Sequence, residues 1–304
     1  MGRGAAPAPL RVVVVHWNQP KDCVATVARL LGDEVPTRVT VVDNASEPEA
    51  LAELHDGLAG LSTAERARVE VLTQATNTGF GPGANAGLRA FLGRPDDGGW
   101  VALCPHDVEP FAGCLRALLD AAAAEPLAGL MCADVGDGMV PVIDPYFGGM
   151  TVPAPLPAPT EGTWRWEDVD YPHGTLMLLR RAALAEVGLF DERYFSYCEE
   201  ADLALRVRAR GWKVGLVRGA RVQNLHLGSS VALVDYLQTR NTLLLVQEMS
   251  GWYHAGIRAG ITLLQVARGV RDPSSQPLVF DAGARMRGLR DFALRRFGPP
   301  PPAE

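Results

Sequence analysis

Several short polar segments combine carboxylates, amides and glycines in patterns that could handle a nucleotide, a metal ion or a proton. Asp43 ends the apolar run Arg38-Val-Thr-Val-Val-Asp43 and is followed by Asn44-Ala-Ser46. A carboxylate there could accept hydrogen bonds from a ribose or base, or it could cap the next helix. Ser46 and Glu49 also fit the capping-box spacing S-x-x-E, so both roles stay open. Asn77 to Gly87 carries glycines at 79, 81, 83 and 87 ahead of a helical pattern. The amides of such a helix start could face an anion, or the glycines could serve a turn. The segment lacks the Gly-Lys-Ser of a Walker loop and the G-x-G-x-x-G spacing of a dinucleotide fingerprint.

Asp107 follows a hydrophobic run, with His106 before it and Glu109 two residues on. Its oxygens could hold a hard divalent cation, although one carboxylate alone does not specify a metal and a surface loop would also accept it. Glu199, Glu200 and Asp202 crowd a helix start after Phe195-Ser-Tyr-Cys198. Acids stabilise a helix N-terminus, and Asp202 is spaced to pair with Arg206. Adjacent acids also repel, which can raise one pKa enough to make a general base. His226, in Asn224-Leu-His-Leu-Gly-Ser-Ser230, could complete a metal site, meet a phosphate or be structural, and His173 is the weaker candidate. Trp164 and Trp166, near Tyr171, could stack on a sugar or flat aglycone or pack in a core.

These residues need a frame. Arg11 to His16 and Arg38 to Asp43 are β-branched runs typical of strands buried on both faces, with helical spacing over 21–31 between them. The rhythm continues with a helix near 47–59, a strand at Val69 to Leu72, a helix around Ala84 to Leu92 and a strand at Trp100 to Leu103. This alternation predicts an α/β fold with an open, mostly parallel, Rossmann-like sheet flanked by helices, whose ligands bind beyond the carboxyl ends of the strands. Four prolines within Val152 to Pro159 suggest a linker. Beyond it come a strand at Leu176 to Arg180, a helix at Arg181 to Val187, a helix from Glu199 to Arg210 ended by Gly211, a strand at Lys213 to Val217, and helices from Val231. The expected organisation is a disordered N-terminus over 1–10, a nucleotide-binding half over 11–150, an acceptor half over 151–230, a helical region over 231–298 and a disordered tail over 299–304.

Composition sets outer limits. The 304 residues are 47% hydrophobic and 21% charged, which excludes disorder, collagen and coiled coil for the whole chain. A net charge of −6 is the wrong sign for a surface that grips nucleic acid throughout. Five cysteines without a C-x-x-C pair argue against a disulfide framework or zinc ribbon and fit a reducing cytoplasm. No export signal is expected, and charged or amide residues interrupt every apolar stretch before the roughly 18 residues of a spanning helix. Arg285, Arg287, Arg290, Arg295 and Arg296 could meet an anionic lipid surface or simply be solvated, and Trp252 and Tyr253 could serve a homodimer contact through the C-terminal helices.

Taken in order, VVVVHWN, VVDNAS, NTGFGPGANAGLR, PHDV, YCEEADLALRVRARGWKV and NLHLGSS resemble glycosyltransferase family 2, in particular its bacterial rhamnosyltransferase-like branch with the GT-A fold. The resemblance spans approximately residues 11–250. It implies an inverting transfer from a UDP- or dTDP-linked sugar to a hydroxyl of a saccharide, lipid-linked glycan or secondary metabolite, assisted by Mg2+ or Mn2+. On this resemblance Asn18 and Asp43 bind the ribose and base with Ser46 nearby. Asn77, Gly79 and Phe80 shape the donor pocket, and Trp17, Asn85 and His106 belong to the same donor-binding set. Asp107 matches the last acid of the Asp-x-Asp metal site, with His226 as a second ligand. Glu200 takes the place of the general base, supported by Glu199 and Asp202. Two positions depart from the family pattern: Pro105-His106-Asp107 lacks the first acid, and the base is Glu rather than Asp. Two other classes compete. One is a nucleotide-sugar-binding protein without turnover; the other is a nucleotidyltransferase, whose basic glycine-rich loop is replaced here by His16-Trp-Asn-Gln-Pro20. The resemblance places the chain in the cytoplasm or at the inner face of a membrane.

Overall fold

The computed structural model describes residues 8–225 and 230–301. The first half alternates strands β1 (Leu10–His16), β2 (Thr37–Asp43), β3 (Val69–Thr73) and β4 (Trp100–Pro105) with helices α1 (Pro20–Leu31), α2 (Pro48–Ala59), α3 (Thr63–Arg66) and α4 (Phe80–Leu92). There follow β5 (Val108–Pro110), α5 (Cys114–Ala124), β6 (Ala128–Asp134), β7 (Met139–Asp144), β8 (Gly148–Pro153) and β9 (Arg165–Asp168). The chain continues with β10 (Met177–Arg180), α6 (Arg181–Val187), α7 (Glu199–Arg208), β11 (Lys213–Asn224), α8 (Val231–Arg271) and α9 (Ala282–Ala293).

The main sheet runs β3-β2-β1-β4-β10-β6-β11-β5, with β9 paired to β11. Strands β1 to β4 are parallel, as the buried β-branched runs predict, and β6 pairs in parallel with β11. Strand β10 runs antiparallel to both β4 and β6, so the sheet is mixed. That reversal brings the residues just before β10 to the same edge as the carboxyl ends of β1 and β4. The expected linker is partly structured, since Val152 and Pro153 end β8 and pair with β7.

Side-chain alternation divides the core between the two faces of the sheet. Val12 and Val14 of β1 join Cys23, Val27 and Leu30 of α1 on one face. Val13 and Val15 join Leu88 and Phe91 of α4 and Leu203 and Val207 of α7 on the other. Burial pushes the thiols of Cys23, Cys104 and Cys114 upward, leaving them protonated and inert. Helix α8 breaks at Gly251, where φ is +82°, and packs against α9. Tyr236 Oη donates to Asp291 Oδ2 at 3.0 Å across that contact. Among the described residues no helix is long and apolar enough to cross a membrane.

Helix α4 starts at Phe80, four residues earlier than its pattern suggested, because Gly81, Gly83 and Gly87 lie inside it. Their low helix propensity hides the start from a sequence reading, but each is needed for close packing. A Cβ on Gly87 would sit 2.5 Å from Val13 Cγ1 and 3.1 Å from Val42 Cγ2. Gly87→Ala should therefore destabilise the protein by about 1–3 kcal/mol in urea unfolding, with Val13→Ala restoring part of the loss. Wild-type stability for Gly87→Ala would contradict this packing.

Candidate active site

Two cavities meet beyond the carboxyl edge of the sheet. The larger, of about 490 Å³, is walled by His16 at the end of β1 and Trp17 after it, His106 and Asp107 after β4, and the Asn77–Phe80 loop. The smaller, of about 340 Å³, lies between α7, α8 and the loop before β10. Gly174, Tyr197 and Glu200 line both. Glu200 thus stands where the two cavities adjoin.

The loop that delivers it is strained. Phe195, Tyr197 and Cys198 all adopt positive φ, at 63°, 69° and 72°. Such conformations cost side-chain-bearing residues of order 1–3 kcal/mol each unless their surroundings enforce them. Asn241 of α8 does so. Its Nδ2 donates to the carbonyls of Tyr194, Ser196 and Tyr197 at 2.6, 2.7 and 2.9 Å. From the opposite side, Phe80 N donates to Ser196 Oγ at 3.2 Å. Gly79, with φ of +91°, leaves room for the Phe195 backbone, which any Cβ at that position would overlap. A Cβ on Gly174 would likewise overlap the Glu200 carboxyl.

At the start of α7, Glu199 is 1% exposed and its Oε2 has no partner among the described residues. Burial, then the neighbouring Glu200, holds the Glu199 carboxyl far above the usual carboxylate range. Burial also pushes Glu200 up, to about 7, although its backbone amide and Glu199 stabilise its anion. The pair therefore holds a proton near neutrality, with Glu200 the member that ionises. Asp202 stands apart from this pair. It accepts from Arg206 Nη2 and Nε at 2.7 and 2.9 Å, and the same guanidinium holds the carbonyls of Val187 and Leu189.

Other residues fall into two groups. Trp17, Asn77, Gly79, Phe80, His106 and Asp107 come together on the larger cavity. Asp43, Asn18, Ser46 and Asn85 do not line it, and of these Asp43 and Asn85 are buried. Asp43 is fully buried and accepts from His16 Nδ1 at 3.0 Å. Burial works against its charge, but hydrogen bonds from His16 and Ser46 together outweigh it and hold the carboxyl below its usual range. Gln19 N reaches His16 Nε2 at 3.3 Å, which fixes the ring proton on Nδ1 toward Asp43. Ser46 Oγ accepts from Asn18 N at 2.9 Å, and Asn18 Oδ1 accepts from Glu47 N at 2.7 Å. Neither Ser46 nor Asp43 caps α2, which begins after Glu47 with no side-chain cap, so the capping-box reading does not hold. Asn85 spends its amide on the backbone of Phe190, at 2.9 and 3.0 Å.

His106 faces the Val15 carbonyl at 3.2 Å and Gln19 Oε1 at 2.9 Å, and burial lowers its pKa. Asp107 is 6% exposed and lines the cavity, and no donor among the described residues meets its carboxylate. His226 lies outside the described residues. Among those described, no cluster of three or more His, Cys, Asp or Glu could hold a metal by itself. One buried carboxylate opening on a cavity fits a hard cation held mainly by substrate oxygens and water. Trp164 and Trp166 pack against the core, as their packing reading allowed, while Tyr171 lines the smaller cavity.

Gly174 and Thr175 were not singled out by the sequence, and Asn44 and Asn241 were named only as members of longer segments, with no role of their own. Asn44 Nδ2 donates to Asn77 Oδ1 at 3.0 Å and to the Gly79 carbonyl at 2.8 Å, locking the glycine loop. Its place after β2 was a usable signal; the long-range bonds of Asn241 left none. Asn241→Ala should cost about 1–3 kcal/mol in urea unfolding by leaving the Ser196 and Tyr197 carbonyls unpaired, and Asn241→Asp, which sets a carboxylate against them, should cost more. An Asn241→Asp protein as stable as wild type would contradict the clamp.

Residues 11–188 match the sequence profile described as Glycosyl transferase family 2. The chain is 27% identical over 286 residues to an N-acetylglucosaminyl-diphospho-decaprenol L-rhamnosyltransferase of Mycobacterium tuberculosis, covering 82% of this chain and 88% of that protein. Among solved structures it is similar to mannosyltransferase PcManGT from Pyrobaculum calidifontis, in complex with GDP-Man and Mn2+, with a TM-score of 0.61, 11% identity, and coverage of 96% of this chain and 90% of that one. It is also similar to GalNAc-T7 with UDP, GalNAc and Mn2+, with a TM-score of 0.62, 16% identity, and coverage of 95% and 55% respectively. The fold is that of the GT-A glycosyltransferases. With more than half its length inside the matched profile, the chain belongs to glycosyl transferase family 2.

Proposed function

We propose that this chain is an inverting glycosyltransferase that moves a sugar from a UDP- or dTDP-linked donor to a hydroxyl of a lipid-linked sugar. The observation that carries the reading is the position of Glu200 in the walls of both cavities, with its pKa pushed up to about 7. A group there can face a donor on one side and an acceptor on the other while changing protonation near neutrality. The Mycobacterium tuberculosis relative, an N-acetylglucosaminyl-diphospho-decaprenol L-rhamnosyltransferase, supports the lipid-linked class.

In the proposed reaction the acceptor oxygen attacks the anomeric carbon as its proton passes to Glu200. The new C–O bond forms while the bond from the anomeric carbon to the donor phosphate breaks, and the electron pair leaves with the nucleoside diphosphate. Glu199 stays protonated beside Glu200, so the pair carries a single negative charge before the proton moves and none afterwards. The glycine loop, locked by Asn44, shapes the donor cavity, and Trp17, 47% exposed, offers a stacking face at its mouth. Asp107 would hold a divalent cation, which supplies charge neutralisation to the departing diphosphate. The enzyme is proposed to work close to a membrane surface, a reading supported by the lipid-linked substrate in the name of its relative.

Glu200→Gln should lower turnover by about 10²–10⁴ while nucleotide binding survives. Asp107→Asn should instead abolish the Mn2+-dependent thermal stabilisation by nucleotide, worth about 2.7 kcal/mol at 100 Kd in the wild type. Assaying both variants with UDP- and dTDP-sugars checks this, and full turnover by Glu200→Gln would overturn the assignment of the base.

A further inference from the structure

Two guanidinium groups enter the wall of the smaller cavity, and they are in different states. Arg285 is spent: its Nε meets Asp235 Oδ1 and Oδ2 at 2.9 and 2.8 Å, its Nη1 meets Gln265 Oε1 at 3.2 Å, and its Nη2 meets the Val279 carbonyl at 3.1 Å. Arg258 is not. Its guanidinium makes no hydrogen bond or ion pair with a described residue, and it lies over the Phe147 ring, 5.4 Å from the guanidinium carbon to the ring centroid. Burial, then the nearby Arg285, makes its charged form less favourable than in water.

A part-buried cation without a counter-ion is unfavourable and normally finds a partner. Here the missing partner has room, because Arg258 faces a cavity of about 340 Å³ that also contains Glu200. The planar fork of a guanidinium matches the oxygens of a phosphate group, and hydroxyls of Thr239 and Thr242 in the same wall can donate to the remaining oxygens.

We infer that Arg258 binds a phosphate or diphosphate group of the acceptor, anchoring it so that the acceptor hydroxyl turns toward Glu200. This rests on the glycosyl-transfer reading above and adds to it a recognition element for the acceptor. The group would belong to the lipid-linked acceptor or arrive as free phosphate, and the two differ in whether an apolar chain follows the anion.

The test is calorimetric titration of geranyl diphosphate and of inorganic pyrophosphate into the wild type, Arg258→Gln and Arg258→Lys, with EDTA present to suppress metal-bridged binding at Asp107. The wild type is expected to bind, Arg258→Gln to bind at least tenfold more weakly, and Arg258→Lys to fall between them. Tighter binding of geranyl diphosphate than of pyrophosphate assigns the site to a lipid headgroup, whereas equal binding assigns it to free phosphate; either supports an anion site. Absence of binding by the wild type, or equal binding by wild type and Arg258→Gln, overturns the inference. Arg258→Lys keeps the charge and guards against misreading a folding defect. Nucleotide and Mn2+ stabilisation measured on the same wild-type protein tests the donor reading separately, so either claim can fail alone.

Discussion

The site depends on one side-chain amide. Asn241 bonds three consecutive-turn carbonyls of a loop in which three non-glycine residues hold left-handed conformations. Without those bonds the strain would relax and the start of α7, with Glu199 and Glu200, would lose its position. The C-terminal helices are thus part of the site rather than an appendage to it. Arg240, beside Asn241, is nearly completely buried and bonds Tyr236 Oη at 3.3 Å, which ties the same turn of α8 to Asp291 of α9. The glycine loop completes the clamp from the sheet side, with Gly79 and Gly81 admitting the Phe195 backbone and the Glu199 side chain.

Strand direction explains how residues far apart in sequence share one edge. A wholly parallel sheet would place the loop before β10 at the opposite end of the molecule. Because β10 is reversed, Gly174 and Thr175 reach the carboxyl edge of β1 and β4 and line the larger cavity. Buried charge is then managed in pairs. Asp43 is stabilised by hydrogen bonds from His16 and Ser46, Asp202 by the charge of Arg206 and Asp235 by that of Arg285. Glu199 and Glu200 have no cation of their own in this scheme, which is why burial raises both and why a proton can reside there.

Much of this was legible in the residues. Runs such as Val12 to Val15 announce strands buried on both faces, and polar residues after β1 and β4 do line the larger cavity. Three acids at the start of α7 signalled mutual repulsion. Their division of labour did not show, because the pairing of Asp202 with Arg206 removes one acid from the group and only burial distinguishes the other two. The direction of β10 was hidden, since hydrophobic alternation carries no polarity along the chain. Asp43 lies behind His16 because two parallel strands set those residues side by side, in register, and their side chains meet beneath the wall. Asn241 and Arg258 left no local trace: one acts through bonds to residues some 45 positions away, the other through the lack of a partner.

The central claim is that a carboxyl ionising near neutrality sits between donor and acceptor and takes the acceptor proton. The pH dependence of kcat/KM for sugar transfer tests it most directly. The account predicts a profile that is flat above about pH 7 and falls tenfold per unit below it, because burial raises the pKa of Glu200 and only its ionised form is a base. A rate that stays level down to pH 5 would contradict the account.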